Sequence, residues 1–136
     1  MLERYFEQQQ SLLDTLGGEH QKQRQLLERE RGRLAALTEL VRDLARPTSG
    51  SALYHLNRSA MRGQLSALLE MQQQETEMAE LSYRHSFETM RRQLGRVKGL
   101  EELQAQRAAV VRARALRAEQ RLLDEWSAAK WAVASD

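Results

Sequence analysis

Three histidines are the side chains best suited to acid-base or metal chemistry in this chain of 136 residues, which contains no cysteine. His20, His55 and His85 lie far apart, and none belongs to a metal-binding spacing such as HExxH. His85 and Glu88 are three residues apart, which is the ordinary surface pair of an exposed helix. No glycine-rich phosphate-binding loop is present either. We therefore expect no catalytic residue, no metal site, no cofactor and no enzymatic activity.

Arginines near the C-terminus form the clearest charge pattern in the chain. On a helix of 3.6 residues per turn they lie within about 80° of one another, and they are Arg107, Arg114, Arg117 and Arg121. The other side of the same segment carries large apolar side chains, among them Leu116, Leu122, Leu123, Trp126 and Val133, with Trp131 nearby. Because Trp and Arg are common interface anchors, the pattern favours a docking helix for an acidic, partly apolar partner surface. The alternative is a helix that packs its apolar face on a second copy.

The composition indicates which elements must present these residues. Leucine and alanine are abundant, isoleucine is absent, and aromatic residues make up 5% of the chain, so strand-forming residues are scarce. With 29% charged residues, apolar side chains must be confined to narrow stripes on helices. The net charge of +2 does not indicate a nucleic acid partner. No apolar run approaches the roughly 18 residues of a membrane span, so we expect at most peripheral membrane association.

Pro47 is the only proline, and it lies in a segment of turn-forming residues, 46–51. This hairpin loop divides the chain into a first coiled-coil helix, residues 1–45, and a longer second helix, residues 52–136. In the first helix, alternating steps of four and three give thirteen seam positions, nine of them apolar. These positions are Leu2, Phe6, Gln9, Leu13, Leu16, His20, Gln23, Leu27, Glu30, Leu34, Leu37, Val41 and Leu44. Gly17-Gly18 indicates a hinge within this helix or, alternatively, the end of a short separate helix.

The second helix has a less regular apolar pattern. It predicts two runs separated by a register shift, namely Met61, Leu65, Leu68, Met71 and Met78, followed by Tyr83, Phe87, Met90, Leu94 and Val97. Folding at the loop pairs residues 2–44 with approximately 53–95, which leaves about 96–136 as an overhang. The expected fold is all-α: a long antiparallel two-helix coiled-coil hairpin with a protruding C-terminal helix.

Bulky residues at the start of the second helix form another candidate surface. Leu53, Tyr54, Leu56 and Arg58 follow the loop closely, and they are more than a single seam can cover. Some of them are therefore expected to face outward and to bind a partner. The alternative is that Leu53 and Leu56 cap the coiled coil while Tyr54 packs on Pro47.

Segments of the second helix resemble the stalk proteins of type III secretion export apparatuses, which comprise the flagellar FliJ type and the injectisome YscO type. Residues 100–107, LEELQAQR, and 119–126, EQRLLDEW, resemble the amide-rich terminal helix of flagellar members, which ends in Asp-Glu-aromatic. Residues 53–58, followed by Met61-Arg62 and Gln64-Leu65, are more similar to injectisome members just after their turn.

The resemblance implies a non-enzymatic cytoplasmic stalk or adaptor at the inner face of the bacterial inner membrane. In such a protein the termini enter the hexameric export ATPase, the hairpin reaches the cytoplasmic ring of the export gate, and export chaperones are cycled. The ATPase contact then falls on Arg107, Arg114, Arg117, Arg121, Leu116, Leu123 and Trp126, and the gate contact on Leu53, Tyr54, Leu56 and Arg58. The alternatives are a coiled-coil secretion chaperone and a homo-oligomeric structural coiled coil.

Overall fold

The computed structural model describes residues 1–135 as two helices, α1 (Leu2–Ala45) and α2 (Ala52–Ser135). The two pack against each other in antiparallel order, and no strand occurs within those residues. The predicted all-α helical hairpin is thereby confirmed. Helix α1 continues through Gly17-Gly18, so the alternative of a separate N-terminal helix is wrong. Packing along the seam offsets the low helix propensity of the two glycines, which amounts to about 1 kcal/mol each.

The turn follows from local backbone chemistry. Arg46 has φ −68° and ψ 136°, the extended conformation that a following proline imposes. Ser51 caps α2, because its Oγ accepts a hydrogen bond of 3.2 Å from the backbone N–H of Tyr54. The loop connects the end of α1 at Ala45 to the start of α2 at Ala52.

The seam of α1 matches the sequence pattern. Each of the thirteen predicted positions is half-buried or buried, and Leu27 is only 3% exposed. All of these positions fall on one narrow stripe, which is the face of α1 that α2 covers. A second apolar row beside it, Tyr5, Leu12, Leu26 and Leu40, is 40% to 50% exposed.

The seam of α2 differs from the prediction. Its covered positions recur at steps of three and four without any shift, and they are Leu65, Leu69, Gln72, Thr76, Ala79, Tyr83, Ser86, Met90, Gln93, Val97, Leu100 and Gln104. The predicted seam residues Met61, Leu68, Met71, Met78, Phe87 and Leu94 are instead 38% to 68% exposed. The predicted register shift is therefore wrong, and only Leu65, Tyr83, Met90 and Val97 were placed correctly.

Hydrogen bonds across the seam explain this register. Gln72 donates to both the backbone carbonyl and the carboxylate of the buried Glu30, and Thr76 lies beside them. Farther along, the Gln93 amide donates to the carbonyl and the side-chain oxygen of Gln9, both at 2.9 Å. Polar groups that leave water need such partners. The polar residues of α1 thus select the polar stripe of α2, and they fix the alignment of the hairpin.

The same contacts show where pairing ends. Arg58 contacts the carbonyl of Leu44, and Gln93 contacts Gln9, so α1 pairs with approximately 58–104 of α2. Val97 is 2% exposed, and Gln104 is the last half-buried side chain up to residue 134. The overhang therefore begins after Gln104 and not at about residue 96, because the first two turns of α2 lie beyond the end of α1.

The molecule exposes 11224 Å² of surface. A compact monomer of its 15.7 kDa mass exposes about 7,300 Å². A two-helix hairpin with a long single helix has no second layer to cover its remaining faces. Much apolar surface thus remains accessible for contact with other molecules.

Candidate docking surfaces

The overhang, residues 105–136, continues α2 beyond the hairpin, and its described part is a single helix. Its described part reaches Ser135 and extends about 46 Å at 1.5 Å per residue. Every side chain from 105 to 134 is exposed, including Leu116 at 65% and Trp126 at 64%. The ammonium of Lys130 lies 5.0 Å from the centroid of a Trp126 ring, a cation–π distance that orients this indole on the surface.

The four predicted arginines all lie on this helix, but they do not share one environment. Arg107 borders an open groove formed with Leu2 and Phe6, at the junction between overhang and hairpin. Arg114, Arg117 and Arg121 lie farther out and are exposed, as is Leu123 on the other side of the helix. The overhang thus presents a basic side and an apolar side to solvent, which is suited to docking on a mixed surface.

The tip of the hairpin, residues 46–58, contains the four residues that the sequence predicts to bind a partner. They fall into two pairs with different environments. Leu53 and Leu56 are 69% and 67% exposed. The alternative in which these two leucines cap the coiled coil is therefore wrong. They lie on the turns of α2 that extend past the end of α1, where no residue of α1 is opposite them.

Arg58 is held within the tip itself. Its guanidinium donates hydrogen bonds to the backbone carbonyls of Asp43, Leu44 and Arg46 at 2.8, 3.1 and 3.1 Å. These carbonyls lie at the C-terminal end of α1 and just beyond it, where the next helical N–H donors are missing; the Asp43 carbonyl also accepts a bond of 3.3 Å from the backbone N–H of Arg46. Arg58 thus closes the turn. Sequence spacing gave no signal of this role, because its partners lie 12 to 15 residues away.

Tyr54 supports the same arrangement. Its hydroxyl accepts a hydrogen bond of 3.2 Å from Arg58, and a Cβ added at Gly50 would lie 2.5 Å from its ring. The side-chain hydrogen bond with Arg58, then that with Thr48 and the positive charge of Arg58, lower the pKa of the Tyr54 hydroxyl below its usual value. Tyr54 and Arg58 therefore stabilise the turn, while Leu53 and Leu56 remain available to a partner.

A third surface was not recognised as exposed from the sequence. It runs along the loop-proximal half of α2, and we call it the methionine stripe: Leu53, Met61, Leu68, Met71, Met78 and Leu81, each at least half exposed. Most of these residues were assigned to the seam because they are the most apolar positions of this segment. The structure shows that they lie beside the seam.

The histidines take structural or surface positions. His20 lies in the seam, where its Nδ1 is 2.8 Å from Ser86 Oγ and its ring centroid is 4.8 Å from that of Tyr83. Within residues 1–135 no cluster of histidine and carboxylate side chains could hold a metal ion. Over the same residues, neither helix is long and apolar enough to cross a membrane.

Comparison with known proteins agrees with this architecture. The model of one family, described as flagellar FliJ protein, matches residues 2–135. No curated protein and no solved structure matches the chain. The match includes both helices, the loop and the described part of the overhang. The chain therefore belongs to the flagellar FliJ protein family, whose members are components of the flagellar export apparatus.

Proposed function

We propose that the protein is a non-enzymatic stalk of the export apparatus that links the hexameric export ATPase to the export gate. The observation that carries this proposal is the overhang, a helix about 46 Å long whose side chains are all exposed from 105 to 134. A single helix on a stiff rod is suited to reach into the centre of a ring. The paired part adds about 65 Å, so that the two ends can contact different assemblies.

The chemistry of the overhang supports an ATPase contact. Its apolar side offers Leu116, Leu123 and Trp126, each more than half exposed, as anchors for an apolar recess. Its basic side offers Arg114 and Arg117 to acidic groups at the rim of such a recess. Charges at a rim increase the rate of encounter, whereas buried aromatic side chains slow dissociation.

The two sides of the overhang predict different kinetic defects in ring binding. Arg114→Glu with Arg117→Glu should mainly slow association with the purified ATPase hexamer and reduce the salt dependence of the rate. Trp126→Ala should mainly speed dissociation, with a loss on the order of 2 kcal/mol. Surface plasmon resonance measures both rates.

Trp131→Ala, a second exposed tryptophan on a different side of the helix, is the matched control for loss of an indole. Equal loss with Trp131→Ala would show that the assigned apolar side is wrong. Unchanged rates in both variants would place the ATPase contact outside this face.

We propose that the tip contacts the cytoplasmic ring of the export gate. Of the four residues considered, Leu53 and Leu56 are the exposed apolar contacts, whereas Tyr54 and Arg58 shape the turn that presents them. Arg58 then acts indirectly, by holding the ends of the two helices together.

Variants at the tip should distinguish residues that bind the gate from residues that stabilise the turn. Leu53→Ala with Leu56→Ala should weaken binding to the isolated gate domain on the order of tenfold at unchanged thermal stability, because both side chains are exposed. Arg58→Met should lower thermal stability, because the carbonyls of Leu44 and Arg46 lose their side-chain donor. A double leucine variant that binds the gate normally would exclude the tip as the contact.

We further propose that the protein works in the cytoplasm at the inner face of the bacterial inner membrane and assists the cycling of export chaperones. A coiled-coil secretion chaperone is the second candidate function, favoured by the exposed methionine stripe. Methionine side chains adapt to irregular apolar surfaces, as chaperone binding of varied segments requires. Suppression of aggregation of an unfolded export substrate, lost in Met71→Glu with Met78→Glu, would support this candidate.

A further inference from the structure

The methionine stripe is an apolar surface with no partner in the hairpin. It extends over about 43 Å of α2, with Glu75 within it and Glu70 and Glu77 along one edge. It lies beside the seam, so a helix can cover it without displacing α1.

The overhang has the matching dimension and chemistry. Its length of about 46 Å is close to that of the stripe. Leu53, Leu81, Leu116 and Leu123 are separated by multiples of seven residues, which places the stripe and the apolar side of the overhang on a common side of α2. A second α2 that runs antiparallel can therefore cover both surfaces at once.

Most of the charged pairs beside the two surfaces are opposite in sign in one antiparallel register. Glu75 and Glu77 are exposed at the stripe, and Arg112 and Arg117 are exposed on the overhang. When Met71 of one chain lies opposite Leu116 of an antiparallel second chain, heptad geometry brings Glu75 towards Arg117 and Glu77 towards Arg112. The same register brings Glu70 towards Glu119, so at each end two attractive pairs outnumber one repulsive pair. This charge complementarity identifies the overhang as an occupant suited to the stripe.

A chain cannot make this contact with itself. Met71 and Leu116 belong to one continuous helix and are separated by about 67 Å along its axis. A second copy can make the contact twice, once at each end of a two-fold symmetric pair.

We propose that the free protein forms a reciprocal antiparallel dimer in which the overhang of each copy covers the methionine stripe of the other. Arg92 and Arg96 lie near the two-fold axis of this pair, whereas the neighbouring Arg91 is paired with Glu88 at 3.5 Å. Repulsion between Arg92 and Arg96 of the two copies keeps the association weak and reversible. On the proposed function, the dimer is a storage form, because it covers the face that engages the ATPase.

Charge-reversal variants test the pairing directly. One variant carries Glu75→Arg and Glu77→Arg, and the other carries Arg112→Glu and Arg117→Glu. Each alone places like charges opposite each other at both ends of the dimer, so its dissociation constant should rise on the order of tenfold over that of the native chain. Mixed together, the two variants place opposite charges at both ends and should again associate as tightly as the native chain. Sedimentation equilibrium measures all three, without any ATPase.

Cysteine cross-linking checks the register, since the chain has no cysteine of its own. Met71→Cys and Leu116→Cys chains should form a mixed disulfide dimer. Ser66→Cys, exposed on another side of α2, should not cross-link with Leu116→Cys. A native chain that stays monomeric up to millimolar concentration would overturn the proposal. So would a mixture no tighter than the separate variants, or cross-linking of Leu116→Cys only to itself. None of these results depends on whether the overhang binds the ATPase.

Discussion

A chain that ends at Gln104 is expected to remain a folded hairpin and to lose binding to the export ATPase. Gln104 is the last side chain half-buried against α1, and every side chain from 105 to 134 is exposed. Removal of residues 105–136 therefore takes away no buried side chain between 105 and 134. It does remove all of the side chains proposed to dock in the ring, so that the affinity should fall by more than about 100-fold, corresponding to two or more anchors of the usual strength.

Fluorescence anisotropy with the purified hexamer measures the affinity, and urea unfolding followed by circular dichroism checks the hairpin. The full-length chain with Leu53→Ala and Leu56→Ala is the matched control, because it changes the other end of the rod and should bind the ring normally. If the truncated chain still binds the ring and stimulates ATP hydrolysis, the hairpin itself carries the contact. A truncated chain with a lower unfolding midpoint would show that the overhang also stabilises the hairpin.

The sequence predicts α1 accurately because its seam is clearly the more apolar of two stripes, with nine apolar positions against the four of the exposed row Tyr5, Leu12, Leu26 and Leu40. Its polar seam residues, such as His20 and Glu30, fell on the correct positions because nine apolar neighbours define the period around them. Gly17-Gly18 does not end the helix, because seam residues on both sides of the two glycines pack on α2. This packing offsets the low helix propensity of glycine. Burial of the apolar stripe, and not the helix propensity of single residues, therefore determines the extent of α1.

The sequence fails for α2 because this helix carries two stripes at the same period. The methionine stripe is the more apolar of the two in the loop-proximal half, so a count of apolar residues selects it. The buried stripe contains Gln72, Thr76 and Gln93, which are recognisable as seam residues only once their partners on α1 are known. A count of apolar residues ranks single side chains by their free energy of transfer from water. Whether a polar residue is buried depends instead on a hydrogen-bond partner on the other helix.

The tip shows the same limit on a smaller scale. Ser51 and Pro47 act through neighbours within a few residues, so the turn and the start of α2 could be predicted. Arg58 acts on carbonyls 12 to 15 residues away, and only the folded hairpin brings them together. For this reason the predicted pairing of α1 with 53–95 differs from the observed pairing with 58–104. The number of α2 residues that extend beyond α1 depends on how Arg58 closes the turn.

Removing the amide that satisfies Glu30 should destabilise the hairpin more than removing an exposed methionine. Gln72→Leu leaves the buried Glu30 carboxylate without the donor on α2, and only Arg33, at 3.3 Å, still pairs with it. We expect the free energy of unfolding to fall by about 3 kcal/mol. Met71→Ala, at a position that is 58% exposed, should change it by less than about 0.5 kcal/mol.

A double variant tests whether the polar pair Glu30–Gln72 is needed for stability or only for the alignment of the two helices. Glu30→Leu with Gln72→Leu replaces the polar layer by an apolar one and should recover the lost stability, with a further gain of about 2 kcal/mol. The pairs Gln9–Gln93 and His20–Ser86 should still hold the alignment of the helices. Urea unfolding measures all three variants. If Met71→Ala costs as much as Gln72→Leu, the methionine stripe faces α1 in solution, and the overhang would have to bind a different surface of its partner.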